Sequence, residues 1–73
     1  MSSQERQAAI TCVNESLRFL DYTILSDKST MIEIDRAQIK ADSQIKLLEY
    51  IGMDCTELRI KFDKLLSISE SYL

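Results

Sequence analysis

A heptad pattern between Ile34 and Tyr72 constrains the fold of this chain more than any other feature. With Ile34 at position a, most of the a and d sites carry apolar or aromatic side chains. These sites are Ile34, Ala37, Ala41, Gln44, Leu48, Ile51, Cys55, Leu58, Phe62, Leu65, Ser69 and Tyr72. Apolar groups at this spacing form a seam along one side of a helix, and the mostly acidic b sites lie well away from it. The pattern therefore predicts amphipathic helices, but it indicates no particular chemistry.

The composition favours an all-α fold. The 73 residues include no Pro and one Gly, so the usual helix breakers and turn formers are nearly absent. With 45% hydrophobic content, residues 1–73 can form one domain at most. This length is close to the limit at which a single core still outweighs chain entropy. We expect a small helical bundle that a partner subunit would stabilise.

Two capping patterns mark the starts of the first two expected helices. Ser2 precedes Glu5 by three residues, and Thr30 precedes Glu33 in the same way. The polar segment 26–30 lies between the two helices and predicts a turn. We expect helices over about residues 3–25, 30–51 and 54–72. The inner stripe of the first helix consists of Ile10, Val13, Leu17, Leu20 and Ile24.

Gly52 separates two possible architectures. Gly is preferred just past a helix end and costs about 1 kcal/mol relative to Ala inside a helix. Asp54 and Glu57 then form a third capping pair. We therefore predict a bundle of three amphipathic helices with a break near Gly52. The alternative is a helical hairpin with one long second helix, assembling as an oligomer or coiled coil, because the heptad phase continues through Gly52.

A second apolar line marks candidate partner-binding residues. It occupies f sites of the same register and consists of Ile32, Ile39, Met53 and Ile60. In a helix packed on one side these sites would face water, and contiguous exposed apolar surface usually marks an interface. A weaker apolar edge of the first helix adds Cys12, Phe19 and Tyr22. The competing interpretation is that a three-helix core buries part of the f line. The expected core includes Leu17, Leu20, Leu48, Leu58, Phe62 and Leu65.

Charge and hydropathy argue against nucleic acid and membrane partners. The net charge is -3 and the pI is about 4.8, whereas phosphate binding needs clustered Lys and Arg. Arg59 and Lys61 lie near each other in sequence, but 100° steps place them on nearly opposite sides of a helix. The chain has no apolar run of about 20 residues, and no signal-peptide core follows the polar segment 1–6. A cytoplasmic location is expected.

The sequence offers no candidate catalytic, metal or cofactor site. His is absent, and Cys12 and Cys55 lack the spacing of zinc ligands. We expect structural thiols at both positions, with a disulfide as the alternative. Acidic b sites lie about 10 Å apart along a helix, too far to converge on one cation. Without His, a Gly-rich loop or a nucleophile elbow, enzyme activity is not expected.

The expected function is therefore non-enzymatic protein–protein interaction. The chain would act as a small adaptor or chaperone-like subunit that buries apolar helix faces against itself or a helical partner. The alternative is a small acidic helical regulator associated with RNA or DNA, in the manner of acidic helical-hairpin dimers that bind RNA. Salt separates the two, because nucleic-acid binding weakens steeply as salt rises and apolar docking does not. The partner's identity and the number of subunits do not follow from the sequence.

Overall fold

A computed structural model describes residues 2–71, which form three helices packed against each other without strands. The helices are α1 (Ser3–Leu25), α2 (Met31–Tyr50) and α3 (Thr56–Ser71). The predicted three-helix bundle is confirmed, and the alternative with one long second helix is wrong. At 1.5 Å per residue the helices are about 35, 30 and 24 Å long. They lie side by side in a body of 40 × 17 × 15 Å. The predicted d site Tyr72 and the expected end of the third helix lie outside the described residues.

The first two helix starts are capped as the sequence predicts. Ser2 Oγ accepts a hydrogen bond from the Glu5 amide at 3.1 Å and donates one to the Glu5 carboxylate at 3.2 Å. Thr30 Oγ1 accepts from the Glu33 amide at 3.2 Å. Each bond satisfies an amide that has no partner within its helix. These caps fix the polar segment 26–30 as the turn between α1 and α2.

The end of α2 explains why Gly occupies position 52. Its φ of 91° lies in the left-handed region, which costs least for Gly. The Gly52 amide donates to the Glu49 carbonyl and the Met53 amide donates to the Leu48 carbonyl, each at 3.0 Å. This bond pair is the Schellman motif, which satisfies the free carbonyls at a helix end. The chain leaves α2 there and returns as α3.

The start of α3 differs from the predicted capping pair. The Asp54 carboxylate accepts from the Thr56 amide at 3.1 Å and from the Thr56 hydroxyl at 2.6 Å, in place of the expected bond with Glu57. These bonds lower the pKa of Asp54, with the hydroxyl as the larger cause. The Arg59 amide donates to the Cys55 carbonyl, so the first helical turn closes one residue later than predicted. Asp54 thus accepts its hydrogen bonds from Thr56, the first residue of α3, while itself lying before the helix.

One contiguous core joins the three helices. Its buried hydrophobic members are Val13, Leu17, Leu20, Ile24, Ala37, Ala41, Ile45, Leu48, Cys55, Leu58 and Phe62. Of the six expected core residues five are buried, and Leu65 is half-buried against the cluster. Ile45 is fully buried although it occupies neither an a nor a d site. It belongs to the core because α2 contacts both α1 and α3, which widens its buried face.

No helix among residues 2–71 combines the length and the apolar character that a membrane span requires.

Candidate functional site

The described surface carries many large apolar side chains. Eleven are exposed, and they are Phe19, Tyr22, Leu25, Met31, Ile32, Ile39, Leu47, Tyr50, Ile51, Ile60 and Ile68. Single exposed hydrophobics are ordinary on soluble proteins, whereas contiguous ones mark interaction sites. Whether these side chains mark an interaction site therefore depends on whether they lie next to one another on the helices.

Four of these side chains form a line along α2, here called the α2 stripe. It consists of Ile32, Ile39, Leu47 and Tyr50, which are 63 to 87% exposed. Successive 100° steps place the four within an arc of about 80° on the side of α2 opposite the core. At 1.5 Å per residue, the stripe is about 27 Å long. The sequence-predicted residues Ile32 and Ile39 are thus brought into one surface.

Two cations border the α2 stripe. Arg36 and Lys40 are exposed on the same outer side of α2. Neither forms an ion pair within 4.0 Å in the part of the chain that the structure describes. An acidic protein therefore carries positive charge beside its most exposed apolar line.

The other two residues of the predicted f line do not join the α2 stripe. Met53 is half-buried and packs against the core, as the residue after a Schellman glycine commonly does. Ile60 is exposed on α3, on the side of that helix facing away from its own buried residues. The f line is interrupted because the chain reverses at Gly52, so one heptad register does not describe one surface.

The weaker apolar edge predicted on α1 is exposed. Cys12, Phe19 and Tyr22 all reach solvent. They recur at spacings of seven and three residues, so they share one side of α1, away from its inner stripe. This edge therefore lies on a different helix from the α2 stripe.

Arg59 brings two carboxylates from the acidic b sites, Asp42 and Glu49, into an ion-pair network. Its guanidinium contacts Asp42 at 2.7 Å and Glu49 at 2.8 Å, and Lys46 contacts Asp42 at 2.9 Å. The hydrogen bond from Arg59 is the largest cause that lowers the pKa of both carboxyls. The carboxylates in turn raise the pKa of Arg59. The network ties the start of α3 to α2, so these acidic groups are not a free cation site.

Both cysteines are free thiols in different surroundings. Cys12 is exposed, whereas Cys55 is buried between α2 and α3. Burial is the main cause that raises the pKa of the Cys55 thiol. Cys55 is thus a core residue, whereas the Cys12 thiol is accessible to solvent.

Comparison with known proteins adds no relative. No protein-family model matches the chain, and no curated protein or solved structure matches it. Within residues 2–71, no group of three or more His, Cys, Asp or Glu side chains is placed to hold a metal ion.

Two residues of the α2 stripe were missed by sequence reasoning. Leu47 and Tyr50 fall outside the f sites, so the heptad register did not include them. Their spacing from Ile39 would have identified them, because residues 8 and 11 positions further along a helix lie within about 80° of the starting direction. A search of the whole outer arc, in place of one register position, would have found the stripe.

Proposed function

We propose that this protein is a non-enzymatic interaction subunit that binds a helical segment of another protein along the α2 stripe. The observation that carries the proposal is the exposure of four large apolar side chains along one side of a single helix. Burying such a stripe against an amphipathic helix removes apolar surface from water without disturbing the core. Roughly 25 cal/mol is gained for each Å² of apolar surface buried.

The shape and charge of the α2 stripe favour a particular kind of helix. A stripe about 27 Å long matches about 18 helical residues. Arg36 and Lys40 border it without an ion-pair partner among residues 2–71. A partner helix with an apolar stripe flanked by carboxylates would satisfy both features, since complementary charge fixes orientation and excludes other partners.

Nucleic acid finds less support as the partner. Lys46 and Arg59 contact carboxylates, which reduces the positive charge available for phosphate. A complex held by the α2 stripe should survive moderate salt. A complex that dissociates steeply with rising salt and contains RNA or DNA would favour the alternative.

The test is retention of partners by purified variants expressed in the protein's own host. Ile39→Lys should lose the partner, because docking would strip water from an unpaired charge at a cost of several kcal/mol. Ser67→Lys adds the same charge to an exposed site on α3 and serves as the matched control. Ile60→Lys should also retain the partner, since Ile60 lies off the stripe.

Circular dichroism and thermal melting of each variant separate binding from folding. All three variants should keep the helix content and cooperative melting of the parent, because the replaced side chains are exposed. A folded Ile39→Lys variant that retains every partner would contradict the proposal and direct attention to Phe19 and Tyr22. If Ile39→Lys is unfolded, Ile39 belongs to the core rather than to a binding surface.

A further inference from the structure

The hairpin formed by α1 and α2 is covered by α3 on one side only. Lys61 of α3 donates a hydrogen bond to Asn14 of α1 at 3.4 Å, which places α3 beside that edge of α1. Gln38 of α2 donates to Ser69 of α3 at 3.3 Å, which places α3 beside the corresponding edge of α2. The opposite side of the hairpin has no covering element among residues 2–71.

That uncovered side carries its own apolar groups. Steps of 100° place Cys12 and Phe19 within about 40° of the direction opposite Asn14. The same steps place Lys40 and Leu47 within about 20° of the direction opposite Gln38. All four are exposed. Glu15 lies about 80° from the direction opposite Asn14, at the outer border of this side, and Ile51 directly follows the last residue of α2. We call this surface the hairpin face, and its members are Cys12, Phe19, Lys40, Leu47 and Ile51, with Glu15 at its border.

We propose that the hairpin face binds the hairpin face of a second copy of this chain, with α1 of each copy against α2 of the other. This inference goes beyond the proposed function, because it concerns a different partner and a surface that includes α1. Leu47 belongs to both surfaces and Lys40 borders the α2 stripe, whereas the other residues of the hairpin face lie outside the stripe.

Charge on the hairpin face is self-complementary in this arrangement. Glu15 lies on α1 and Lys40 on α2, and neither makes an ion pair within 4.0 Å in the described part of the chain. Counting outward from the turn at 26–30, the two lie within about one helical turn of the same height. A two-fold axis along the helices therefore sets Glu15 of each copy opposite Lys40 of the other. A two-fold perpendicular to the helices would set α1 against α1 and α2 against α2, so Glu15 of one copy would not face Lys40 of the other and this complementary pairing would be lost.

The symmetry of such a contact also suits a second copy as the occupant. An isologous contact uses the same patch on both copies and closes without further growth.

A charge exchange between two copies tests the proposal. We expect sedimentation of the full chain between about 1 and 200 µM to show a monomer–dimer equilibrium. Glu15→Lys and Lys40→Glu should each weaken self-association about tenfold or more, because each homodimer then contains two like-charge contacts. An equimolar mixture of the two variants should restore the dimer, since every Lys then faces a Glu. Lys64→Glu, an exposed change on α3, should leave dimerisation unchanged.

Cys12 gives a second measure of dimerisation, because it lies on the hairpin face. Its labelling by a maleimide should slow as the dimer forms, because docking covers the thiol. A monomer throughout the concentration range would overturn the proposal, as would single variants that dimerise normally or a mixture that does not associate. Ile39→Lys should still dimerise, so loss of the second copy and loss of a helical partner along the α2 stripe are distinguished.

Discussion

Arg59 is the residue that most directly links two helices through charge. Its guanidinium binds Glu49 through two hydrogen bonds, of 2.8 and 3.3 Å, and reaches Asp42 at 2.7 Å. Such fork geometry fixes direction as well as distance. The sequence could not predict this role, because the partners lie 10 and 17 residues away and meet only after the chain reverses at Gly52. Sequence spacing alone placed Asp42 and Glu49 among the mostly acidic b sites, without a cationic partner.

We predict that Asp42→Asn makes the stability of the protein less dependent on pH in the acidic range. The folded-state pKa of Asp42 is depressed, chiefly by Arg59, so its contribution to stability is present above the unfolded pKa of about 3.9. That contribution is lost as pH falls through the folded pKa. The variant should be less stable than the parent by about 1 kcal/mol or less at pH 7, and this difference should shrink as pH falls through the folded-state pKa of Asp42.

Urea denaturation at a series of pH values measures this difference. Asp35→Asn is the matched control, since Asp35 lies one heptad earlier on α2, is exposed, and forms no ion pair within residues 2–71. It should change stability by no more than about 0.5 kcal/mol. An Asp42→Asn variant as stable as the parent at pH 7 would show that the network contributes nothing.

Helix boundaries were the part of the fold most accessible from sequence. Ser2 and Thr30 cap α1 and α2 as predicted because their partners lie three residues away, so the interaction is encoded locally. Gly52 ends α2 for a similar local reason. Met53 was misplaced because its packing depends on where the chain goes after the helix ends. The predicted f line failed at the same point, since it extended one periodicity across two helices.

Gly52→Ala tests whether α2 ends at this residue. The substitution should lower the stability of the protein if the helix breaks there and raise it if the helix continues. At a φ of 91° a Cβ is unfavourable, and nothing within 4 Å would clash with it, so the cost comes from the backbone alone. We expect destabilisation of about 1 to 2 kcal/mol. One continuous second helix would instead be stabilised by about 1 kcal/mol.

Chemical denaturation of Gly52→Ala and Gly52→Asn together gives the comparison. Asn tolerates left-handed backbone better than Ala, so Gly52→Asn should fall between the parent and Gly52→Ala. An alanine variant more stable than the parent would contradict the observed break between α2 and α3.

Most residues of the core could be predicted from the sequence, but the width of the buried face of α2 could not. The expected residues Leu17, Leu48 and Phe62 are buried because the a and d sites and the stripe of α1 identify faces that must leave water. Ile45 was missed because a heptad seam describes contact with one neighbour. In a three-helix bundle α2 has two neighbours, and its buried arc extends to the e site.

We predict that Leu48→Ala and Leu58→Ala each cost about 2 to 5 kcal/mol. The two side chains are 7 and 6% exposed and belong to the same core from different helices. A chain of this length has a total stability of about 4 to 11 kcal/mol, so either change threatens folding. Ile60→Ala, at an exposed site, should cost no more than about 0.5 kcal/mol.

The midpoint of urea unfolding, with the slope held constant, measures these costs. If an alanine variant does not fold, Leu48→Met and Leu58→Met give a graded loss that remains measurable, typically below about 1.5 kcal/mol. Equal midpoints for Leu58→Ala and Ile60→Ala would show that α3 packs through a different side.

The short turns at 26–30 and 51–55 make rapid folding expected for this protein. Each helix meets its neighbour across only five residues, so closing the chain is fast, and helical bundles of this kind fold in about microseconds to milliseconds. With a partner at about 1 µM, typical association rate constants give productive encounters only about 0.1 to 10 times per second. If the proposed partner binds at such rates, folding is complete well before binding. The exposed apolar side chains of α1 and α2 would then be recognised as parts of an already folded surface.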